Sequence, residues 1–341
     1  MVSEAPPFWW TKADWRAWSL APISWIYGVV ARSRMENAPR VAVDVPVLCV
    51  GNFTVGGAGK TPTALALCAA AKKAGLKPGF LSRGYGGSIR TATVVDTDHH
   101  NAGDVGDEPL LLAQKALTVV SPERAAGAAR LIEEGADFII MDDGFQSAAV
   151  RFDFALMVVD SLRGIGNGHV IPGGPVRAPM VDQMRHASAL LVIGDGPEAH
   201  PVIRVAGRAA KPVYEAKLKV IRPRRFRRKK VLAYAAIGNP EKFFVSLNSA
   251  GADIVDARGF GDHHHFVEDE ATDLLDTASA RDLQLVTTAK DMVRLRHARG
   301  KVAELAEKSD VLEVQLEFDP PGLAQTFVEQ TVQSFKKKAL L

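Results

Sequence analysis

The stretch VPVLCVGNFTVGGAGKTP, residues 45–62, decides the fold of this chain. It begins with a short apolar run typical of a buried strand and continues into a glycine-rich turn followed by Lys60 and Thr61. A strand, such a turn and the start of a helix together surround phosphate groups with backbone N–H groups. The stretch therefore predicts a nucleotide phosphate-binding loop of the P-loop type.

Each part of the predicted loop has a physical role. Lys60 would reach the β- and γ-phosphates, and Thr61 would place its hydroxyl on Mg²⁺. The glycines of residues 56–59 let the backbone approach the phosphates without a Cβ in the way. The usual pattern has a glycine where this chain has Thr54, which weakens the motif taken alone.

Short apolar runs alternate with helical segments beyond this loop. The predicted strands are residues 45–50, 78–82, 93–95, 118–120, 137–141, 155–160, 189–193, 231–236, 252–256, 283–287 and 311–314. Such alternation is typical of a mostly parallel sheet with helices on its faces. We therefore expect an α/β fold with a P-loop NTPase-like domain over residues 41–221 and a second, smaller α/β domain over residues 231–341.

A basic run lies between the two predicted domains. Seven of the nine residues 222–230 are Lys or Arg, and we interpret them as a linker and hinge. A run of like charges is usually a solvated surface, but it would also suit an anionic membrane surface. Nucleic-acid binding is not expected, because aromatic interleaving is confined to Phe226 and the net charge of the chain is only +3.

All five tryptophans lie within residues 1–40. Trp15, Trp18 and Trp25 recur at near-helical spacing, which predicts an amphipathic helix or a helical pair broken at Pro22. Such a face can lie in the plane of a membrane surface, where Trp, Lys and Arg are favoured. It can equally pack on the core of the protein itself, and the sequence leaves both alternatives open.

The composition excludes several classes of protein. The 341 residues are 47% hydrophobic and 24% charged, which is typical of globular domains and not of fibrous or disulfide-rich proteins. Cys49 and Cys68 lack metal-ligand spacing, so we expect two buried thiols in a reducing compartment. We expect no secretory signal and no membrane span, because the longest nearly apolar run covers only residues 20–31.

A pair of carboxylates follows the predicted strand 137–141. Asp142 and Asp143 stand at its carboxyl end, and the carboxyl ends of neighbouring parallel strands share one edge of a sheet. One of these carboxylates would then ligate Mg²⁺ near Thr61, directly or through water. An Asp-Asp-Gly turn without a metal is the alternative, and the nearby P-loop favours the metal site.

Phosphoryl transfer also requires a group that orients or deprotonates the acceptor hydroxyl. The candidates are Asp104, Asp107, Glu108, Asp262, His263, His264 and His265. Adjacent histidines seldom ligate one ion together, because successive residues of a strand point to opposite faces. An Asp hydrogen-bonded to a His is favoured, since the carboxylate fixes the tautomer and raises the basicity of the ring. A histidine-rich surface loop is the alternative.

Five motifs together carry a resemblance to a known family. They are GNFTVGGAGKTP at 51–62, LSRGYGG at 81–87, VGDEP at 105–109, MDDGFQ at 141–146 and GDHHHF at 261–266. In this order the chain resembles the tetraacyldisaccharide 4'-kinase family, in which a P-loop lacking its first glycine is part of the pattern. The resemblance covers nearly the whole chain.

The resemblance implies a function and a location. It implies a kinase that uses ATP and Mg²⁺ to phosphorylate the 4'-hydroxyl of a tetraacyl glucosamine disaccharide 1-phosphate, giving lipid IVA in lipid A biosynthesis. The expected partners are this lipid and the cytoplasmic face of the bacterial inner membrane, to which the tryptophan-rich segment would attach peripherally. No obligate protein partner is expected.

The resemblance also implies roles for individual residues. The expected ATP-binding residues are Thr54, Val55, Gly56, Gly57, Ala58, Gly59, Lys60 and Thr61, and the expected metal ligands are Thr61, Asp142 and Asp143. Asp107 matches the proposed catalytic base, His263 its assisting histidine, and Asp262 a residue that orients the imidazole. Segments around Arg83 and over residues 163–179 match parts of the substrate cleft without assigned roles.

A protein of another class shares part of this pattern. Membrane-associated P-loop ATPases of the partitioning and septum-positioning type carry GGxGKT, preceded by a signature lysine. This chain has Val55 at the position of that lysine, which argues against such a switch. A nucleotide-binding module without catalysis is also disfavoured, because an acidic metal site and a candidate base are both present.

Overall fold

Two α/β domains make up the computed structural model, which describes residues 5–147 and 149–340. The strands are β1 Val47–Asn52, β2 Pro78–Ser82, β3 Thr93–Val94, β4 Thr118–Val120, β5 Phe138–Asp142, β6 Phe154–Asp160, β7 Ala189–Ile193, β8 Val213–Val220, β9 Lys230–Ala235, β10 Asp253–Gly259, β11 Gln284–Thr288, β12 Ser309–Leu312 and β13 Val314–Asp319. The α-helices are α1 Trp15–Ser19, α2 Ala21–Asn37, α3 Lys60–Lys73, α4 Ala102–Val105, α5 Asp107–Ala113, α6 Arg124–Glu133, α7 Met180–His186, α8 His200–Arg208, α9 Pro240–Ser249, α10 Glu268–Ala280, α11 Ala289–Leu295, α12 Gly300–Lys308 and α13 Leu323–Ala339.

The large domain is built on a nine-stranded sheet in the order β13-β8-β7-β6-β1-β5-β2-β4-β3. Every neighbouring pair is parallel except β13 with β8 and β3 with β4. This mostly parallel architecture confirms the predicted fold class. Strand β1 lies inside the sheet between β5 and β6, so its carboxyl end opens onto the edge where ligands bind in such folds.

Helices bury both faces of this sheet. Alternate residues of β1 enter two different cores, Val47 and Cys49 on one face and Leu48 and Val50 on the other. Helices α2, α6, α7 and α8 cover the first face, while α3 and α13 cover the second. Both cysteines are buried thiols, as predicted, and burial raises the pKa of Cys49 to about 12.

The small domain has a four-stranded parallel sheet in the order β10-β9-β11-β12. Its core on one side contains Tyr234, Phe266 and Leu274. The basic linker packs against this domain, because Phe226 is buried in its core and Arg225 pairs with Asp310. The other charged side chains of the linker are largely exposed.

The predicted domain boundary at the carboxyl terminus is wrong. Residues 231–341 were expected to form the smaller domain, but β13 pairs antiparallel with β8 and α13 packs on α3 in the large domain. The predicted strand 311–314 is in fact the end of β12 and the start of β13, in two different sheets. The chain therefore inserts the small domain between the neighbouring strands β8 and β13.

Strand β8 was not predicted because its sequence does not show the apolar run of a central strand. VYEAKLKV alternates between apolar and charged residues, and the structure places it near the sheet edge with much of its surface exposed. Near the end of α13, Lys338 donates to the Phe152 carbonyl at 3.2 Å and pairs with Asp153 at 3.0 Å.

The amino-terminal segment forms two helices, and the break between them falls at Leu20 and not at the predicted Pro22, which lies in the first turn of α2. A 3₁₀ turn, Pro7–Trp10, precedes α1 and α2. The rings of Trp15, Trp18 and Trp25 are 76%, 63% and 71% exposed, so they do not pack into the core. Among the residues that the structure describes, no helix is both long enough and apolar enough to cross a membrane.

Substitution of Phe327 tests whether α13 belongs to the core of the large domain. Its ring is fully buried, with centroids 5.1 Å from Tyr214 and 5.7 Å from Phe154. Phe327→Ala should lower the free energy of unfolding by about 3–5 kcal/mol, because it leaves a cavity in a packed core. Urea denaturation followed by tryptophan fluorescence measures this change, since all tryptophans lie in the segment attached to the large domain.

Gln333→Ala on the exposed face of α13 is the matched control and should change stability by no more than about 0.5 kcal/mol. An equal, small effect of both substitutions would contradict the assignment of α13 to the core.

Candidate active site

The P-loop lies between β1 and α3, as the sequence predicts. Gly59 has φ +97°, and a Cβ there would lie 2.6 Å from Ile193 Cδ1, so glycine is required at this position. Helix α3 begins at Lys60 without a side-chain cap and without an acidic residue in its first turn. The free N–H groups of this helix start therefore favour an anion.

Neighbouring residues hold the loop in shape. Lys60 is only 8% exposed and its Nζ donates to Asn52 Oδ1 at 3.3 Å, while Asn52 Nδ2 donates to the Gly56 carbonyl. Thr54 forms a β-bridge with Val176 and has no positive φ, which explains why glycine is not needed there.

Asp142 and Asp143 lie at the carboxyl end of β5, beside the P-loop, but their environments differ. Neither carboxylate oxygen of Asp142 has a hydrogen-bond partner among the described residues. Burial, reinforced by the charge of Glu108, raises the pKa of Asp142 to about 7. A buried carboxylate with two unsatisfied oxygens beside the P-loop fits a cation site, since Mg²⁺ is commonly held by one or two carboxylates.

Asp143 is already paired within the protein. Its carboxylate receives two hydrogen bonds from Arg177, at 2.7 and 3.0 Å, and lies 3.6 Å from Lys60 Nζ. Although burial opposes ionisation, the charges of Lys60 and Arg177 hold the pKa of Asp143 well below its usual range. The structure thus distinguishes Asp142, whose oxygens have no hydrogen-bond partner among the described residues, from Asp143, which pairs with the side chains of Arg177 and Lys60.

The described residues contain no cluster of three or more His, Cys, Asp or Glu side chains arranged to hold a metal ion. A cation near Asp142 would accordingly take most of its ligands from phosphate oxygens and water, which is typical of Mg²⁺.

Asp107 lies at the start of α5 and reaches across to the small domain. Its Oδ2 accepts hydrogen bonds from Nε and Nη2 of Arg294 and lies 3.2 Å from His263 Nδ1. Burial disfavours its charged form, but His263, Lys290 and Arg294 outweigh burial and hold the pKa of Asp107 far below its usual range. The predicted Asp107 and His263 are therefore neighbours, although 156 positions separate them in the sequence.

His263 is held on its Nδ1 side by Asp107. The hydrogen bond to Asp107 raises the pKa of the imidazole, against the opposing effect of burial. Asp262 was expected to orient this ring, but its Oδ1 is 3.8 Å from His263 Nε2, too long for a hydrogen bond. The orienting carboxylate in the structure is Asp107. His264 instead pairs with Glu270 at 2.7 Å.

Several cross-domain contacts were not predicted from the sequence. Lys290 Nζ pairs with Glu108 at 2.6 Å, next to the Arg294–Asp107 pair. On the other side of the P-loop, Lys242 of α9 lies 2.5 Å from Asp160. The pattern AKDMVR at 289–294, with its two cations one helical turn apart, is a signal that could have identified Lys290 and Arg294.

Arg163 links the amino-terminal segment to the small domain. Its Nη1 donates to the Gly238 carbonyl at 2.8 Å, and its guanidinium lies over the Trp10 ring at 4.8 Å. Trp10 also adjoins the P-loop, because its ring would contact a Cβ placed on Gly56. The amino-terminal turn, the P-loop and the small domain thus meet at one point.

Taken together, the arrangement can bind and transfer a phosphoryl group. One domain provides a helix start with a buried lysine and a free carboxylate for a cation. The other provides an imidazole whose Nδ1 is fixed by a carboxylate of the first domain. A nucleotide and an acceptor hydroxyl would meet between them.

Comparisons with known proteins show the family to which this chain is similar. A family model described as Tetraacyldisaccharide-1-P 4'-kinase matches residues 16–332. The Tetraacyldisaccharide 4'-kinase of Sinorhizobium fredii (strain NBRC 101917 / NGR234) is 59% identical over 340 residues, covering 100% of this chain and 98% of the relative. That of Rhizobium meliloti (strain 1021) is 58% identical with the same coverage.

A solved structure shares the fold of both domains. LpxK from Aquifex aeolicus, crystallised in complex with ATP, superposes with a TM-score of 0.72 and covers 93% of this chain and 99% of that chain. Its sequence identity is 21%, so this likeness supports the architecture alone.

Titration of His263 tests the contact with Asp107. A neighbouring carboxylate stabilises the imidazolium, so the pKa of His263 should lie above the usual value of about 6.5 and should fall in Asp107→Asn. NMR of the imidazole Cε1–H signals measures both values, with His263→Gln to assign the resonance. His99, an exposed imidazole with its own carboxylate partner Asp96, is the internal control and should titrate identically in both proteins.

A pKa of His263 that does not change on removal of the Asp107 charge would contradict the observed contact.

Proposed function

The chain belongs to the tetraacyldisaccharide-1-P 4'-kinase family, which makes it a kinase of lipid A biosynthesis, and we propose how its residues divide the reaction. ATP binds at the P-loop with its phosphates on the start of α3 and on Lys60. The acceptor is the 4'-hydroxyl of the acylated glucosamine disaccharide 1-phosphate. The single observation that carries this assignment is the helix start with buried Lys60 beside the unpartnered carboxylate of Asp142.

In the proposed reaction the acceptor oxygen forms a bond to the γ-phosphorus while the bond from that phosphorus to the β–γ bridging oxygen breaks, and ADP leaves. The Asp107–His263 pair takes the proton of the hydroxyl. Lys60 stays on the phosphate oxygens and stabilises the charge that develops there. Asp143 and Arg177 hold Lys60 and the loop in place.

Thr61 and Asp142 are the residues that would hold Mg²⁺. Bound there, the ion would supply positive charge to neutralise the phosphate oxygens of the nucleotide. Asp143 is a poorer ligand, since both of its oxygens are paired with Arg177. The proposed metal site therefore has two protein ligands, Thr61 and Asp142, whereas the sequence predicted Asp143 as a third.

The exposed tryptophans support attachment to a membrane surface. Trp15, Trp18 and Trp25 present their rings to solvent on the first two helices, next to arginines that suit anionic phosphates. A lipid acceptor keeps its acyl chains in hydrocarbon, so the kinase must work at the bilayer surface. We propose peripheral binding to the cytoplasmic face of the inner membrane.

The partitioning-type switch is not favoured. Such a switch has no use for an imidazole delivered from a second domain onto a carboxylate beside the P-loop, as His263 is here. Family membership points in the same direction.

Transfer of labelled γ-phosphate from ATP to an acylated glucosamine disaccharide 1-phosphate in detergent micelles tests the proposed function. Lys60→Ala should lower the rate of transfer about 10²–10³-fold, because it removes a preorganised cation from the phosphates. Lys73→Ala, at the exposed end of the same helix, is the matched control and should retain full activity. Hydrolysis of ATP without labelled lipid would refute the kinase assignment.

Binding to vesicles tests the membrane proposal. Replacing Trp18 and Trp25 together by Ala should lower the partition of the protein onto vesicles with anionic lipid by at least about tenfold, because it removes apolar surface from the interface. Sedimentation with the vesicles measures the bound fraction. Val245→Ala, an exposed apolar side chain of the small domain, is the control. Equal partition of the wild type and the double variant would contradict the proposal.

A further inference from the structure

We propose that Arg294 is a positioning residue that makes Asp107 the orienting partner and leaves His263 Nε2 to accept the proton of the acceptor hydroxyl. Arg294 belongs to the small domain, whereas Asp107 belongs to the large domain. The inference rests on the proposed function, in which the Asp107–His263 pair receives this proton. It reverses the roles that the family resemblance implies, in which Asp107 is the base and His263 assists it.

The structure fixes Arg294 before it meets Asp107. Its side chain is only 2% exposed, and its Nη1 donates to the Ala236 carbonyl at 2.6 Å and to Asp291 Oδ1 at 2.8 Å. Asp291 is itself buried and accepts hydrogen bonds from the Ala236 N–H and the Thr288 hydroxyl. These hydrogen bonds at the ends of β9 and β11 therefore fix the guanidinium, and its Nε and Nη2 donate to Asp107 of the large domain.

Asp107 has both carboxylate oxygens engaged. Oδ2 accepts from Nε and Nη2 of Arg294 and contacts His263 Nδ1, while Oδ1 accepts from the Glu108 N–H at 3.0 Å. A carboxylate in a two-point ion pair with a buried guanidinium is a weak base. Its remaining task is to hold the Nδ1–H of the imidazole.

His263 Nε2 faces the side on which the phosphates would lie. It points towards Asp262, which lies against Gly238, and a Cβ placed on Gly238 would be 3.6 Å from the P-loop N–H of Gly57. With Nδ1 protonated and held by Asp107, Nε2 carries the free lone pair. The hydroxyl proton would pass to Nε2, and Asp107 would stabilise the imidazolium that forms.

Removal of the Arg294 charge should change the titration of this pair. The charged groups that face it are Lys290, Asp291 and Arg294 on α11, Asp262 beside His263, and Glu108 on α5. Arg294 opposes protonation of His263, so its loss leaves the negative groups less compensated and the imidazolium more stable. A base must be deprotonated to act, so the acid limb of the rate profile moves to higher pH when the pKa of that base rises.

The test compares Arg294→Gln, Arg294→Lys and wild type in two measurements. The first is the pH profile of kcat/KM for the lipid acceptor, and the second is the NMR titration of His263. We expect Arg294→Gln to move both the acid limb and the His263 titration to higher pH by about 1 pH unit, with kcat/KM lowered by up to about tenfold below the limb. Arg294→Lys retains the charge, so its acid limb should stay close to that of wild type while kcat falls.

Lys242→Met is the matched control, because it also removes a cation that joins the two domains, but on the other side of the P-loop. Its acid limb should not move. A purely structural role of Arg294 would lower kcat in both Arg294 variants without moving the acid limb or the His263 titration, and this result would overturn the proposal. If Arg294→Gln does not fold, a shifted acid limb in Arg294→Lys would overturn it equally.

The two measurements separate this inference from the proposed function. Absence of lipid phosphorylation by the wild type would refute the function, yet the titration of His263 would still report whether Arg294 acts on it. A shifted His263 titration combined with an unmoved acid limb would overturn the assignment of proton acceptance to Nε2.

Discussion

Two carboxylates at the start of α5, the buried Asp107 and the half-buried Glu108, must be neutralised, and the cations that neutralise them come from the small domain. Asp107 is paired with Arg294 and Glu108 with Lys290, four residues earlier on α11. Removing one partner of a buried ion pair is costly, since the other charge is left without compensation. The relative position of the two domains therefore depends on these pairs, and the position of His263 against Asp107 depends on it in turn.

At the carboxyl end of β5, two acids that are adjacent in the sequence have opposite environments. Asp143 is satisfied by Arg177 and Lys60, which keeps it ionised, whereas Asp142 is left with unpartnered oxygens and a raised pKa. Environments that push the pKa values of neighbouring acids apart give the two groups different tasks. Here the paired acid shapes the loop, and the unpaired acid is the one available to a cation.

The sequence predicted what is local in the chain. The P-loop, the acidic pair at the end of β5 and the pair of amino-terminal helices each depend on a few consecutive residues, and the structure contains all three. Asp107 and His263 were paired only through a family resemblance, because their contact joins distant segments. The metal ligand was not resolved between Asp142 and Asp143, since only the surrounding charges distinguish them.

Other features depend on contacts that no local pattern records. Arg294 acts through Asp291 and Ala236, and its importance follows from the position of α11 against α5. Strand β8 has one exposed face, so its sequence alternates between apolar and charged residues and contains no continuous apolar run that would predict a strand. The return of β13 and α13 to the large domain could not be predicted, because their sequences suit an edge strand and a covering helix of either sheet.

The insertion of the small domain between β8 and β13 has a consequence for the order in which the protein is made. Residues 230–312 leave the ribosome before β13 and α13 do, so the whole sequence of the small domain emerges while the large domain still lacks an edge strand and the helix that covers β1 and β6. Domains generally fold as units during synthesis. The small domain can therefore fold first in the nascent chain, and the large domain completes its core only after β13 and α13 have emerged.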